Sequence, residues 1–182
     1  AIFLAKDSKF SDFKGNFDDK INQKILNFLK NNKKAKEDKI FSLNLEFDQI
    51  LIIILVAKKN DSLESEKLGA NFYDYIKKNN VNNVLLLGSN FSTVKNNIKF
   101  NEFIHGVELK AYDFSLYKTK KNKKEININI LKNKNQINKN IKNNLDAVLN
   151  GINFTRDLVS EPGNILHPDE YTKRLIKLRK YG

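Results

Sequence analysis

The residues able to do chemistry are few and scattered. His105 and His167 are the only histidines of the chain. Neither has a second metal-type ligand at i+4 or a glutamate motif around it, the spacing that would put two ligands on one helical face. Both read as structural side chains. Cysteine is absent, which removes disulfides, thiolate metal sites and cysteine nucleophiles together and suits a reducing cytoplasm. Gly88-Ser89-Asn90 follows the apolar run Val84-Leu85-Leu86-Leu87, the position at which open α/β sheets take ligands. One glycine is too few for a loop whose backbone amides cradle phosphate. The acids Asp18-Asp19 and Glu64 with Glu66 fall where helices are expected to start, so they read as acids favoured by the helix dipole rather than as a general acid and base. The sequence nominates no catalytic residue and no metal ligand.

A candidate of another kind lies directly after Tyr117, in Lys118-Thr119-Lys120-Lys121-Asn122-Lys123-Lys124. Lys118, Lys120, Lys121, Lys123 and Lys124 could neutralise the phosphates of a nucleic acid such as DNA, each contact steepening the salt dependence of binding. The plain alternative is a solvated connection whose lysines discourage pairing at a sheet edge. No arginine fork and no interleaved aromatic supports the first reading. The overall charge of +12, from 33 Lys and Arg against 21 Asp and Glu, would attract polyanions. Arginine, however, stands only at positions 156, 174 and 179 while Lys, Asn, Ile and Phe abound. That is the pattern left when an A/T-rich coding sequence drifts neutral surface positions towards lysine and asparagine.

Across 182 residues, 40% are hydrophobic and 30% charged, enough apolar material to offset chain entropy in a globular fold. The longest purely apolar run, Ile50 to Val56, falls far short of the about 20 residues that span a bilayer, and no membrane partner is expected. Ala1-Ile2-Phe3-Leu4-Ala5 is followed by Lys6 and Asp7 and lacks a basic n-region and a long apolar stretch, so the expected location is the cytoplasm.

These side chains would be held by alternating strands and helices. Ala1 to Ala5 reads as a buried strand. Asn16 is expected to cap a helix whose first turn carries Asp18 and Asp19 and whose stripe is Ile21, Ile25, Phe28 and Leu29. Phe41, Leu43, Leu45 and Phe47 alternate with polar residues as a half-buried strand, and Asp48-Gln49 turns the chain into Ile50 to Val56, a central strand covered on both faces. The tight turn makes this pair antiparallel. Asp61 and Glu64 resemble a capping pair ahead of Leu68, Phe72 and Ile76. Val84 to Gly88 is a further buried strand. From Phe100 through Phe103, Ile104, Val107 and Ala111 to Phe114 the apolar steps of three and four predict a helix, inside which Gly106 costs about 1 kcal/mol. Ile126, Ile128 and Ile130 alternate as an edge strand. Ile137, Ile141, Leu145, Val148 and Ile152 mark a long helix reaching towards Val159. Pro162 and Pro168 bracket a boundary, and a last helix runs from Asp169 to Lys180. The expected fold is a three-layer α/β/α sandwich on a mixed sheet.

Two segments carry a resemblance. Gly106-Val107-Glu108-Leu109-Lys110-Ala111-Tyr112-Asp113-Phe114-Ser115-Leu116-Tyr117-Lys118-Thr119 resembles the "eG…L…Y.F..YK" helix in the N-terminal domain of leucyl aminopeptidases, peptidase family M17. Phe154-Thr155-Arg156-Asp157-Leu158-Val159-Ser160-Glu161-Pro162-Gly163-Asn164-Ile165-Leu166-His167-Pro168 resembles the same family's "aRDLvn.P.N.l.P" segment, departing from it at Ser160 and Gly163. The resemblance implies a macro-like N-terminal α/β domain over residues 1–135, a linker helix over 136–160, and the start of a catalytic domain over 161–182. It further implies a parent hydrolase that releases N-terminal amino acids with two divalent metals, zinc or manganese, and assembles as a homo-hexamer. The family's "NTDAEGR" metal motif has only the echo Asn144-Leu145-Asp146-Ala147 here, without the Glu-Gly-Arg that should follow. No family catalytic residue carries over, so this chain is expected to be a non-catalytic part whose first partner is the catalytic domain of its own polypeptide.

Overall fold

The computed structural model describes residues 1–13, 15, 17–45, 49–87, 94, 97–119, 125–131 and 138–181. Its central sheet takes the strands β1 (Ile2–Ala5), β2 (Lys39–Asn44), β3 (Ile50–Val56), β4 (Asn83–Leu87) and β5 (Asn127–Leu131) in the order β2-β3-β1-β4-β5. β1, β3, β4 and β5 run parallel, while β2 pairs antiparallel with β3, Phe41 lying opposite Ile53. This is the mixed sheet expected from the tight turn, which Leu45 and Gln49 close with a backbone bond of 3.0 Å. β5 stands at the edge, as its alternating isoleucines predict.

Helices cover both faces. On one, α1 (Asp19–Asn32) lays Ile25 and Leu29 over Ile2, Leu4, Leu51, Ile53 and Leu55. On the other, α2 (Ser62–Lys78) and α3 (Phe100–Ala111) press Leu68, Phe72, Phe100 and Phe103 onto Phe3, Ile52, Ile54 and Val56. β3 is thus apolar throughout because its odd and even residues feed two different cores. Phe3 meets Phe103 edge to face at 5.1 Å and Phe100 at 5.9 Å, the geometry that ring quadrupoles favour. Beyond the sheet, α4 (Lys139–Ser160) packs on α3, and α5 (Pro168–Ile176) follows it, continued by a 3-10 turn over Lys177–Tyr181.

Several sequence expectations are corrected. Asp18, not Asn16, caps α1, accepting from the Ile21 amide at 2.7 Å; Asn16 lies outside the described residues. β2 begins at Lys39 and ends at Asn44, and Phe47 is likewise outside them. α3 stops at Ala111 because Tyr112 turns extended, so Phe114 is not helical and instead packs on Tyr117 at 5.8 Å. The last helix is helical from Pro168, a favoured first position, and loosens to 3-10 geometry after Ile176. The capping pair is a complete box: Asp61 accepts from the Glu64 amide at 2.8 Å while the Glu64 carboxylate accepts from the Asp61 amide at 3.2 Å.

Gly106 is the most instructive correction. A Cβ there would stand 1.9 Å from the Glu66 carbonyl oxygen, and a Cβ on Gly69 would stand 1.9 Å from that of Phe103. Each glycine lets the opposing helix backbone lie directly on it. The residue expected to be a tolerated cost in α3 is the reason α2 and α3 pack so closely.

Candidate functional site

The two segments that carry the resemblance, some 40 residues apart in sequence, meet in space. α3 ends at Ala111 and its following loop runs under α4, so that Tyr112 and Tyr117 face the last turn of α4. Arg156 donates from Nη1 to the Leu109 carbonyl oxygen at 2.8 Å, satisfying an acceptor that the end of α3 leaves open. Its guanidinium also lies over the Tyr112 ring, 5.2 Å from the centroid, a cation–π arrangement. The Tyr112 hydroxyl donates to Asp157 at 2.8 Å, and partial burial followed by that carboxylate holds the phenol above its ordinary pKa.

One turn later the pattern repeats. Glu161 accepts from the Tyr117 hydroxyl through one oxygen and from Arg174 Nη1 at 2.8 Å through the other. Its side chain is only 4% exposed. Tyr117 first and Arg174 second hold the Glu161 carboxyl below the usual carboxylate range, and Glu161 in turn raises the Tyr117 phenol. Arg174 is shared with Glu170 at 3.4 Å on its own helix. Pro162 closes the turn between α4 and α5, its carbonyl accepting from the Ile165 and Leu166 amides at 2.9 and 3.0 Å. Arg156 therefore pins α4 to the sheet domain, while Arg174 ties α5 to the end of α4 through Glu161, the carboxylate that also accepts from Tyr117. Arginine suits this because its planar fork serves two partners at once.

The other candidates are placed as follows. His105 is buried against α2, Nε2 3.9 Å from the Glu66 carboxylate, with Nδ1 unpartnered among the described residues. Glu66 is thus turned towards this histidine rather than standing at the helix start beside Glu64. His167 is exposed ahead of α5, where its carbonyl accepts from Tyr171 at 2.9 Å. Gly88-Ser89-Asn90 lies outside the described residues, as do Lys120, Lys121, Lys123 and Lys124. Lys118 is described, and its ammonium lies 3.4 Å from the Asp113 carboxylate. Among the described residues no group of three or more His, Asp, Glu or Cys could hold a metal ion. No described helix is long and apolar enough to cross a membrane.

In the sequence Arg156, Asp157, Glu161, Tyr112 and Tyr117 stand only as letters of two motifs. That they face one another has no periodicity signal; it depends on how α4 crosses α3.

Fold and junction together define a three-layer α/β domain with a helical arm pinned to one end. No family model matches the chain. The chain is similar to a probable cytosol aminopeptidase of Rhizobium leguminosarum bv. trifolii, 34% identical over 87 residues, which are 44% of this chain and 18% of that protein. It is also similar to a probable cytosol aminopeptidase of Gluconobacter oxydans, 37% identical over 80 residues, 42% of this chain and 16% of that protein. Among solved structures, a tomato leucine aminopeptidase mutant superposes with a TM-score of 0.62 over 99% of this chain and 39% of its own, at 16% identity. The bottromycin maturation enzyme BotP, in complex with Mn, does so with a TM-score of 0.57 over 99% and 35%, at 10% identity. The resemblance to the N-terminal region of leucyl aminopeptidases stands in both sequence and fold. The chain matches well under half the length of each of these proteins.

Proposed function

We propose that this chain is the non-catalytic N-terminal module of a leucyl aminopeptidase-like metallo-exopeptidase of the cytoplasm. In this reading residues 1–135 form a macro-like domain, 136–160 a linker helix, and 161–182 the entry to a catalytic domain that supplies two divalent metals, zinc or manganese. The module's task is mechanical: to set the angle of the linker and to help a homo-hexamer shape access to its active sites.

The observation that carries this reading is the junction. Arg156, Asp157 and Glu161 fix the arm to the domain, while several large apolar side chains of the arm stay uncovered: Val159 is 81% exposed and Ile176 48%. Large apolar side chains left in water suit a packing partner. The names of the similar proteins supply the kind of partner.

The test is direct. Incubated with a leucine chromogenic amide and manganese or zinc, the 182-residue chain should release no chromophore. Sedimentation should find it monomeric or weakly associated. Metal-dependent turnover, or a stable hexamer, would overturn the reading.

A further inference from the structure

A second concave feature lies on the opposite side of the sheet from the α2–α3 pair and owes nothing to the junction. The loop leaving β1 and the last turns of α1 border an open cleft of about 540 Å³, within the range of small-molecule sites. Its floor is apolar, from Leu26 and Leu29, and its rim carries Lys6 and Lys9 from the loop and Lys30 and Lys33 from the helix end. Asp7 is the one acid among the described residues that line it, against four lysines. The lysines converge from two elements, so they are not a run of solvated charge along a single segment. The loop that presents Lys6 and Lys9 is tied down by Ser8, whose hydroxyl accepts from the Ala5 amide at 2.9 Å and whose amide donates to the Ala5 carbonyl at 3.0 Å.

Topology puts this cleft at a favoured place. The chain leaving β1 leads through α1 to β2 and β3 on one side, and the chain leaving β4 leads to β5 on the other. Where neighbouring parallel strands send their connections apart, a crevice opens beyond their carboxyl ends. β1 is one of those strands, and Lys6 to Lys9 follow it immediately.

We propose that the cleft between the β1–α1 loop and the end of α1 binds a small phosphomonoester, its dianion held by Lys6, Lys30 and Lys33 and its apolar body resting on Leu26 and Leu29. A dianion answers several converging ammonium groups better than a carboxylate does, and the apolar floor discriminates against the bare ion. Among the described lining residues Asp7 is the one carboxylate, and the proposal is of binding alone. This inference is independent of the proposed aminopeptidase origin.

Phenyl phosphate, titrated into the ¹⁵N-labelled chain at low salt, is the probe. The inference expects saturable shifts confined to the amides of Lys6 to Lys9 and the last turn of α1. It also expects weaker binding of inorganic phosphate and of benzyl alcohol, and about tenfold weaker binding of phenyl phosphate by the Lys30→Gln/Lys33→Gln variant. Lys77→Gln/Lys78→Gln, at the exposed end of α2, should bind as the parent does. All four lysines are exposed, and thermal unfolding checks that both variants remain folded. Absence of saturation, shifts spread over lysines elsewhere, inorganic phosphate binding as tightly as phenyl phosphate, or equal loss in both variants would each overturn it.

Discussion

α3 is gripped on two sides by different means. Towards α2 the contact is dry and close: Gly69 and Gly106 let backbone lie on backbone, and Phe72 and Phe103 pack beside them, ring centroids 5.7 Å apart. Towards α4 it is built from directed polar bonds, with Arg156 on the Leu109 carbonyl and a Lys142 ammonium 2.8 Å from Asp146 and 3.8 Å from Glu108. The first arrangement tolerates no added atom and serves stability. The second leaves much of α4 exposed and serves orientation, because hydrogen bonds fix angles that apolar contact leaves free.

That contrast can be broken most forcefully at the glycines. Gly106→Ala should cost about 3 kcal/mol in chemical denaturation, since the nearest atoms to the new methyl are backbone and cannot step aside. A loss under about 1 kcal/mol would mean that the two helices are not in backbone contact. Arg156→Ala should cost about 2 kcal/mol by removing a charged hydrogen bond and a ring contact together. Arg156→Lys should recover less than half of it, because an ammonium cannot serve carbonyl and ring at once. Equal stability of the lysine variant would reduce the junction to simple charge.

Gly151 sharpens the comparison with the opposite sign. It too lies inside a helix, α4, but a Cβ there meets nothing within 4 Å. Gly151→Ala should therefore raise the unfolding free energy by about 0.5–1 kcal/mol, the reverse of the same change at Gly106. The smallest effect concerns protons. The folded Glu161 carboxyl binds its proton more weakly than the unfolded one, so its contribution is complete above the ordinary carboxylate value and fades as pH falls through the depressed one. The folded Tyr117 phenol holds its proton more tightly, so its share fades only as pH rises past the ordinary phenol range. The stability difference between the parent and Glu161→Gln, followed by thermal unfolding against pH, should form a plateau between those limits. A difference that grows on acidification would show that Glu161 is not paired as described.

Much of the sheet domain was readable from the chain because its signals are local. The unbroken apolar run Ile50 to Val56 is β3 at the same bounds, and the Asp61 and Glu64 spacing is a real capping box. Misreadings fell where a neighbour decides. Helix ends moved by a few residues at Asp18 and Tyr112 because a cap depends on which backbone turns, not on which residue could serve.

By itself the sequence determined the order of strands and helices and the two-faced burial of β3, since periodicity and residue type are properties of the chain. Only the tertiary structure decided that Gly106 is indispensable to a helix crossing, that Arg156 and Glu161 meet Tyr112 and Tyr117, and that four lysines from two elements surround one cleft. The reason is that each of these is a distance between segments far apart in the chain, and no local pattern encodes such a distance until the core has packed.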